Sequence, residues 1–491
     1  MLSDECGGLG VEGAMRPGVC LLPDMNGMPG PKRVVILGGG FGGVYTALAL
    51  ERLARTEPGQ VEVTLVSQDN YLLMTPLLFE ASSGILEPRH AVQPIRSLLE
   101  QARFVEAEVE KIDLEKRVVF ARPSPDEVYE LPYDFLVLSL GGVTNRQIIP
   151  GSEHAMTFKT IADAIFLRNY TIELFERADV ERNPQRKKAL LSFVIIGAGL
   201  VGVELMGELT IFTRNLCRSY PGIDPEELRF ELLEAGPEIM GEMDRDLIAY
   251  TVQVLEERGV RIRTNCPAKR IDLDRVELSD GQTILAETII LSTGVAPNPL
   301  LKDLPLAKDR KGRVAVDPAM RSVSHPEVWA LGDCAAIPDP QGKPYPQLAQ
   351  HALREAKVLG ENIMGAIHQR PLKPFAYETL GTLAALGHYK GVGRIRRMKF
   401  RGFVAWWIWR TYYLLQMPQW DRRLRIMLDW TLALFFKNDI VKLALFGEEH
   451  PLRKYEERIY RRTPPAEEVL DWTITPADGR EDRAQRQESG R

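Results

Sequence analysis

Two glycine-rich turns contain the residues whose chemistry is easiest to interpret. In the first, Gly38, Gly40 and Gly43 form a G-x-G-x-x-G pattern between an apolar β-branched run and a helical pattern. Glycine allows a tight turn and lets a pyrophosphate approach the N–H groups of a helix N-terminus, where the helix dipole favours negative charge. In this context the pattern predicts a dinucleotide site rather than a structural turn. The residues assigned to the site are Gly38, Gly40, Phe41, Gly42 and Gly43.

The second turn repeats the pattern with Gly197, Gly199 and Gly202. The strand that follows its helix ends in a carboxylate, Glu234. A carboxylate at this position accepts hydrogen bonds from ribose hydroxyls and repels a 2′-phosphate. The second unit is therefore predicted to bind NADH in preference to NADPH.

Two aspartates bear on the ligand of the first turn. Ser67 stands where a ribose-binding carboxylate is expected, and Asp69 either takes over that contact or caps the following loop. Gly332 and Asp333 follow a late strand at residues 328 to 331. An aspartate there can bond the ribityl or phosphate region of an FAD whose ADP end lies on the first turn. Because a chain seldom binds one nucleotide twice, the two sites predict a bound FAD and an exchanging NADH.

The elements that position these residues form two strand-turn-helix-strand units. Short apolar runs predict their strands at residues 33 to 37, 61 to 66, 134 to 139, 191 to 196, 228 to 234 and 287 to 293. The charged stretch 176 to 188 is predicted to be a helix end plus a loop, and residues 349 to 367 a helix. The pattern predicts an α/β fold with two Rossmann-like dinucleotide-binding domains, one for FAD and one for NAD(H).

The order of these elements predicts an FAD-binding domain that is interrupted by the NADH-binding domain. The predicted segments are a flexible leader (1–31), the first segment of the FAD-binding domain (32–155), the NADH-binding domain (156–298), the second segment of the FAD-binding domain (299–388), a C-terminal membrane-association segment (389–446) and a polar tail, disordered at its end (447–491).

Composition excludes several classes of protein. The chain has 491 residues, of which 45% are hydrophobic, and its net charge of -5 gives no global basis for nucleic-acid binding. Its five cysteines are scattered without a C-x-x-C pair, which suits a reducing compartment and predicts no metal site. The leader lacks the features of a secretory signal, and no apolar run reaches the ~20 residues that a spanning helix needs.

With these residues placed, the chain resembles the type II NADH dehydrogenases, which are single-subunit NADH:quinone oxidoreductases of the two-dinucleotide flavoprotein superfamily. The resemblance runs from residue 32 to residue 445. It is carried by GGGFGG (38–43), TPLLFEASSG (75–84), GAGLVGVELMGEL (197–209), STGVAPN (292–298), LGDCA (331–335) and PQLAQHAL (346–353). It implies that electrons pass from NADH through FAD to a quinone, either ubiquinone or menaquinone, without proton pumping.

The resemblance also implies roles for individual residues. Pro76 and Leu77 are expected near the isoalloxazine, and Thr293 and Gly294 are expected to close the nicotinamide side. Glu204 is expected beside the nicotinamide and the flavin, where it would tune the flavin or handle a proton. The alternative for Glu204 is a helix-surface carboxylate or a partner of the dipole at the helix N-terminus.

In the family, an A-Q-x-A-x-Q motif contributes to the quinone pocket. Here Gln350 keeps the first glutamine, and Arg354 replaces the second. Gln350 is therefore predicted to contact a quinone carbonyl, while Arg354 puts the identity of the quinone in question. For His351, a helix-packing or solvent-facing position is favoured over a proton donor.

Basic and aromatic residues are concentrated near the C-terminus. Five of the seven tryptophans fall between residues 406 and 430, after a run of arginines and lysines. Basic residues attract anionic lipid, and tryptophan favours the membrane interface, so the pattern predicts an amphipathic helical membrane-anchoring segment. The alternative is that these aromatics pack a dimer interface or cover the flavin domain.

The predicted partners are therefore a quinone, the membrane surface and a second copy of the chain in a homodimer, with no nucleic acid. The predicted location is peripheral, on the cytoplasmic face of the cell (inner) membrane. Two other functions stay open, namely a soluble NADH-dependent reductase with a protein acceptor and a non-catalytic NADH-sensing flavoprotein. Sulfide or disulfide chemistry is disfavoured, because Cys334 has no partner nearby in the sequence.

Overall fold

The computed structural model describes residues 30–146, 148–436 and 439–442. The predicted tail at 447–491 lies outside the described residues, as does nearly all of the predicted leader. Within the described chain, two parallel five-stranded sheets form the frame, and smaller sheets of two or three strands are formed by segments before, between and after their strands. The predicted α/β architecture with two Rossmann-like units is confirmed.

The first unit is built around a central strand of β-branched residues. Its elements, in order, are β1 (Lys32–Leu37), α1 (Phe41–Ala54), β2 (Val61–Ser67), β3 (Tyr71–Leu73), α2 (Leu78–Ser82), β4 (Val92–Pro94), β5 (Arg103–Glu106), β6 (Glu108–Asp113), β7 (Val118–Ser124), β8 (Glu127–Pro132), β9 (Phe135–Leu138) and β10 (Gly142–Thr144). Strand β1 pairs in parallel with β2 on one side and β9 on the other. Its apolar residues are buried on both faces, as expected for a parallel sheet covered by other elements.

The second unit repeats this plan. Its elements are β11 (Met156–Thr157), α3 (Ile161–Val180), α4 (Pro184–Leu190), β12 (Ser192–Ile196), α5 (Leu200–Cys217), β13 (Arg229–Leu233), α6 (Arg245–Glu256), β14 (Val260–Arg263), β15 (Ala268–Ile271), β16 (Arg275–Leu278), β17 (Thr283–Leu285), β18 (Thr288–Leu291) and β19 (Val295–Pro297). The parallel sheet has the order β11-β18-β12-β13-β14. The prediction of a loop up to residue 188 is wrong. Asn183 caps a new helix, α4, by accepting hydrogen bonds from the N–H groups of Gln185 and Arg186.

The chain then returns to the first unit through β20 (Val314–Ala315), β21 (Val328–Ala330), β22 (Ala335–Ala336) and α7 (Ala349–Ile367). Strand β21 pairs in parallel with β9 and so extends the first sheet. Helix α7 crosses α1 closely, because a Cβ at Gly360 would lie only 2.9 Å from the Cβ of Ala49. The late Gly332-Asp333 pair is thereby brought beside the first glycine turn.

The C-terminal segment contains β23 (Gly381–Ala385), β24 (Gly391–Ile395), β25 (Met398–Arg401), α8 (Gly402–Gln416) and α9 (Trp420–Phe435). The prediction that this segment is helical from residue 389 is wrong at its start, where β24 and β25 form an antiparallel hairpin. Arg396 has a positive φ of 53° in the turn of that hairpin. Arginine rarely adopts this conformation, so the sequence does not indicate the turn. No helix of the described residues is long and apolar enough to cross a membrane.

Candidate active site

One large cavity lies where the carboxyl ends of the two parallel sheets face each other. Its volume is about 1970 Å³. Pockets for a single drug-sized ligand measure roughly 300–1000 Å³, so this cavity has room for two dinucleotides. The described residues that line it include both glycine turns, the Gly332-Asp333 pair and the start of α7.

The first turn forms one end of the cavity. Gly38 has a φ of +110°, and a Cβ at Gly43 would overlap the carbonyl oxygen of Gly38, so both positions require glycine. Helix α1 begins directly at the cavity, and Gly40 has no side chain with which to cap its first N–H groups. Uncapped N–H groups at a helix N-terminus are suited to bind a phosphate. Gly38, Gly40, Phe41 and Gly42 line the cavity, and Gly43 lies behind them.

Ser67 stands at the end of β2, where a carboxylate was expected. It is buried directly against the first turn, so that a Cβ on Gly39 would overlap the hydroxyl of Ser67, and it also lines the cavity. Asp69 lines the cavity two residues further on, close to Tyr71. Burial and the nearby Asp69 carboxylate raise the pKa of Tyr71 to about 12.

The second turn lines the same cavity through Gly199, and the helix that follows it contributes Leu200 and Val201. Glu234 lies against this turn. Its carboxylate accepts hydrogen bonds from the N–H of Ala198 at 2.8 Å and from the N–H of Gly236 at 2.8 Å. The acidic residue therefore lies within the second nucleotide unit, where the sequence predicts it.

The remaining residues of the second turn also adopt conformations that require glycine. Gly197 has a φ of +104°, and a Cβ at Gly202 would overlap the carbonyl oxygen of Gly197. Thr293 donates a hydrogen bond to the carbonyl of Asn145 at 3.3 Å, and Gly294 lines the cavity.

Asp333 lines the cavity beside a lysine that the sequence reasoning missed. The Nζ of Lys159 lies 3.8 Å from the Asp333 carboxylate, and both residues line the cavity. Burial lowers the pKa of Lys159, while the Asp333 carboxylate opposes that effect. Lys159 and Asp333 thus offer a cationic and an anionic group to a bound nucleotide. Gly332 also lines the cavity, and its N–H donates to Glu355 at 2.8 Å.

The segment predicted to lie near the isoalloxazine is divided between the cavity and the core. Thr75 and Leu78 line the cavity. Leu77 is fully buried in a cluster with Trp409 and Trp430, and Pro76 is half-buried between Thr75 and Leu77.

Glu204 is buried on α5, on the side that faces the C-terminal segment. Its Oε1 accepts hydrogen bonds from the N–H of Ala385 at 2.9 Å and from the Nε1 of Trp409 at 3.1 Å. Burial raises the pKa of Glu204 to about 8, although both hydrogen bonds act to lower it. The structure therefore excludes the alternative of a helix-surface carboxylate. Tyr413 is partly buried nearby, and its pKa is raised by desolvation and by the Glu204 charge.

Gln350 is held by protein groups at both ends of its amide. Its Nε2 donates to the carbonyl of Gly381 at 3.1 Å, and its Oε1 accepts from the hydroxyl of Tyr377 at 3.2 Å. Arg354 stacks on the Tyr377 ring at 4.4 Å and donates to the carbonyl of Gln350. His351 is buried, and its pKa is lowered to about 4 by burial and by Arg354, so it packs as a neutral ring.

Comparison with known proteins is consistent with this geometry. Residues 32–356 match the family model for pyridine nucleotide-disulphide oxidoreductases, and residues 379–439 match the NDH2 C-terminal domain. A probable NADH dehydrogenase of Dictyostelium discoideum is 30% identical over 418 residues, covering 83% of this chain and 91% of that protein. The type II NADH:quinone oxidoreductase NdhA of Mycobacterium tuberculosis is 30% identical over 425 residues, covering 82% of this chain and 87% of that protein.

The chain belongs to the type II NADH dehydrogenase family. Membership confirms the predicted flavoprotein oxidoreductase, with FAD as cofactor and NADH as electron donor. The structure of NDH2 from Plasmodium falciparum in complex with NADH shares the fold, with a TM-score of 0.77 and 19% sequence identity. The match covers 84% of this chain and 100% of that one.

Sequence reasoning missed several residues of this type II NADH dehydrogenase that contact its predicted site. The sequence pattern assigns Trp409 only to the membrane segment, yet its indole bonds Glu204. Glu80 is buried and accepts hydrogen bonds from Arg410 and Trp430 of the C-terminal segment; its position as the lone carboxylate in the apolar run TPLLFEASSG could have marked it. Lys159 and Tyr377 carry no pattern that would have distinguished them from surface residues.

Proposed function

We propose that this chain is an FAD-dependent NADH:quinone oxidoreductase that reduces a membrane quinone without pumping protons. The main supporting observation is that one cavity of about 1970 Å³ is bounded by both nucleotide turns and by the start of α7. FAD, when bound, accepts a hydride from NADH and passes two electrons to the quinone. The protein binds the two nucleotides, aligns them with the quinone and supplies a proton to the quinone.

The two turns would hold the two nucleotides at opposite ends of the cavity. The N-terminus of α1 would bind the FAD pyrophosphate, and Asp333 and Lys159 would contact the rest of that cofactor. Glu234 would accept hydrogen bonds from the ribose of NADH. We further propose that residues 32–155 and 299–388 form the FAD-binding domain, residues 156–298 the NADH-binding domain and residues 389–446 the membrane-association segment.

Glu204 would supply a proton to the reaction. Reducing a quinone to a quinol adds two electrons and two protons, and NADH supplies only a hydride, so one proton must come from solvent. Because burial raises its pKa to about 8, Glu204 is protonated at neutral pH and can donate. We propose that Gln350 lies at the quinone end of the cavity, next to Ala349 and Ala352, which line it.

We propose that the outer surface of α8 and α9 binds the membrane. Large apolar side chains are exposed on both helices: Phe403, Val404, Trp407, Leu415, Trp420, Leu424, Leu428, Leu432 and Phe435. Such a surface, flanked by arginines, is typical of helices that lie in the membrane interface. A quinone is dissolved in the bilayer, so the same surface would admit it. We propose further that the protein lies on the cytoplasmic face of the cell membrane, as a homodimer.

The first test is to reduce the purified holoenzyme with NADH without oxygen, and then to add a short-chain ubiquinone or menaquinone. The visible absorbance of the oxidised flavin should disappear with NADH and return with quinone. If the absorbance disappears with NADH but does not return with quinone, the electron acceptor is a protein partner or the protein is an NADH sensor.

The membrane surface is tested by sedimentation with anionic vesicles. Replacing Trp420 and Leu428 by serine should release the protein from the vesicles, because both side chains are more than half exposed on α9. The matched control is Val180→Ser, since Val180 is 75% exposed at the end of α3. Equal binding of the two variants would refute the assignment.

A further inference from the structure

Two consecutive residues of α8 bind carboxylates from the two different nucleotide-binding units. Trp409 donates to Glu204 of the second unit at 3.1 Å. Arg410 donates from Nε at 2.9 Å and from Nη2 at 2.8 Å to Glu80 of the first unit. The C-terminal segment therefore connects the two units through side chains that lie inside the protein.

The guanidinium of Arg410 also contacts two indole rings. Its centre lies 4.4 Å from the ring of Trp406 and 4.5 Å from the ring of Trp430. Trp430, on α9, also donates its Nε1 to the second oxygen of Glu80 at 2.6 Å. A planar cation held by two indoles and a carboxylate has little freedom, so Arg410 fixes the rotation of α8 about its axis.

Both carboxylates lie directly behind walls of the cavity. Glu80 belongs to α2, whose residues Leu78 and Phe79 line the cavity. Glu204 lies one turn after Leu200 and Val201, which line it from the other side. A rotation of α8 would therefore move groups that contact both walls.

We propose that Trp409 and Arg410 form a clamp that positions Glu204 for proton transfer, so that the C-terminal segment is part of the reaction site as well as a membrane-binding surface. This inference rests on the proposed function. Arg410 acts as a positioning residue, because it fastens α8 to Glu80 and thereby holds the Trp409 indole against Glu204.

Other charged groups face this clamp and belong to the same environment. Glu208 lies one turn after Glu204 on α5, and burial raises its pKa to about 7. Arg258, which follows α6, donates to the carbonyls of the loop after β23. His388 in that loop lies near Arg258 and Arg410, which together with burial lower its pKa. Tyr413 faces Glu204 from α8.

The test compares the proton affinity of Glu204 with the clamp intact and broken. The infrared carboxyl band of Glu204 is identified as the band that the Glu204→Gln variant lacks. Its intensity is then measured in the resting holoenzyme as a function of pH, and the midpoint of this titration is compared between variants. Arg410→Met should raise the midpoint of this band by about one pH unit or more, since the Trp409 hydrogen bond that favours the charged form is lost. Arg410→Lys should give a smaller shift.

Arg410→Met leaves the Glu80 carboxylate buried without its cationic partner, with only the Trp430 hydrogen bond remaining, which can prevent folding. The double variant Glu80→Gln/Arg410→Met removes both charges and should fold, yet show the same shift. The control is Lys111→Met, because Lys111 on β6 lies over the ring of Phe120 on β7 at 5.9 Å, within the first unit and away from α8. It should leave the midpoint unchanged.

The kinetic readout separates the two half-reactions. In the double variant, flavin reoxidation by quinone should slow about tenfold or more, with reduction by NADH unchanged. A carboxyl midpoint in the double variant equal to that of the wild type would overturn the clamp. A shifted midpoint in a protein whose wild type is not reoxidised by quinone would support the clamp and refute the proposed function.

Discussion

Replacing Glu204 by glutamine should change how the stability of the protein depends on pH. Glu204 has a pKa of about 8 in the folded protein because of burial, against an ordinary value of 4.5. Between these two values the folded state binds more protons than the unfolded state. The contribution of Glu204 to stability is therefore most favourable below pH 4.5, falls as the pH rises, and reaches its low plateau above pH 8.

The size of the effect follows from the same shift. Each unit of pKa difference corresponds to about 1.4 kcal/mol, so the full difference amounts to about 5 kcal/mol of stability lost at alkaline pH. Glutamine does not ionise and avoids this loss. Between about pH 4 and pH 9, the free energy of unfolding of Glu204→Gln should therefore rise relative to that of the wild type by about 2 to 5 kcal/mol. The lower figure allows for structural relaxation around the buried charge.

The assay is thermal unfolding of both proteins across this pH range, in the same buffer series and with FAD saturating. Glu106→Gln serves as the control, because Glu106 is exposed at the end of β5. The control should follow the wild type at every pH. If the midpoint difference between Glu204→Gln and the wild type stays constant across the range, Glu204 is not a protonated buried group and the reasoning fails.

Three further variants test other parts of the site. Trp409→Phe removes a hydrogen bond that favours charged Glu204, so the infrared carboxyl midpoint should rise by about one pH unit or more, whereas Trp407→Phe on the exposed side of α8 should not change it. Glu234→Gln removes the charge that repels a 2′-phosphate, and kcat/KM for NADPH relative to NADH should rise about tenfold; an unchanged ratio would place Glu234 away from the ribose. Gly43→Ala introduces a methyl group that overlaps a carbonyl oxygen of its own turn, so the purified protein should lose most of its visible flavin absorbance, and full retention would contradict the steric argument.

Most of the nucleotide-binding architecture was predictable because its signals are local. The strand, the glycines and the helix of each unit are consecutive in the chain, and short-range sterics restrict the turns to glycine. The predicted bounds of helix α7 agree with those in the structure, Ala349–Ile367. The hairpin of β24 and β25 was not predictable in the same way, because basic residues dominate its composition and hide the alternation of a strand pair.

Site residues within local motifs were predictable, whereas contacts between distant segments were not. Gly38, Gly199 and Asp333 lie at the cavity because a local motif places each of them there. Gln350 lies on α7 as predicted, but its hydrogen bonds to Tyr377 and Gly381 depend on a segment that no motif marks.

The sequence by itself determined that this chain binds two dinucleotides, since two complete glycine turns with their flanking elements need no distant residue to be recognised. Only the tertiary structure decided what surrounds Glu204. Trp409 lies 205 residues away from it along the chain, and Arg410 lies 330 residues from Glu80. Contacts over such separations arise from how α8 packs against both units, and sequence spacing carries no information about that packing.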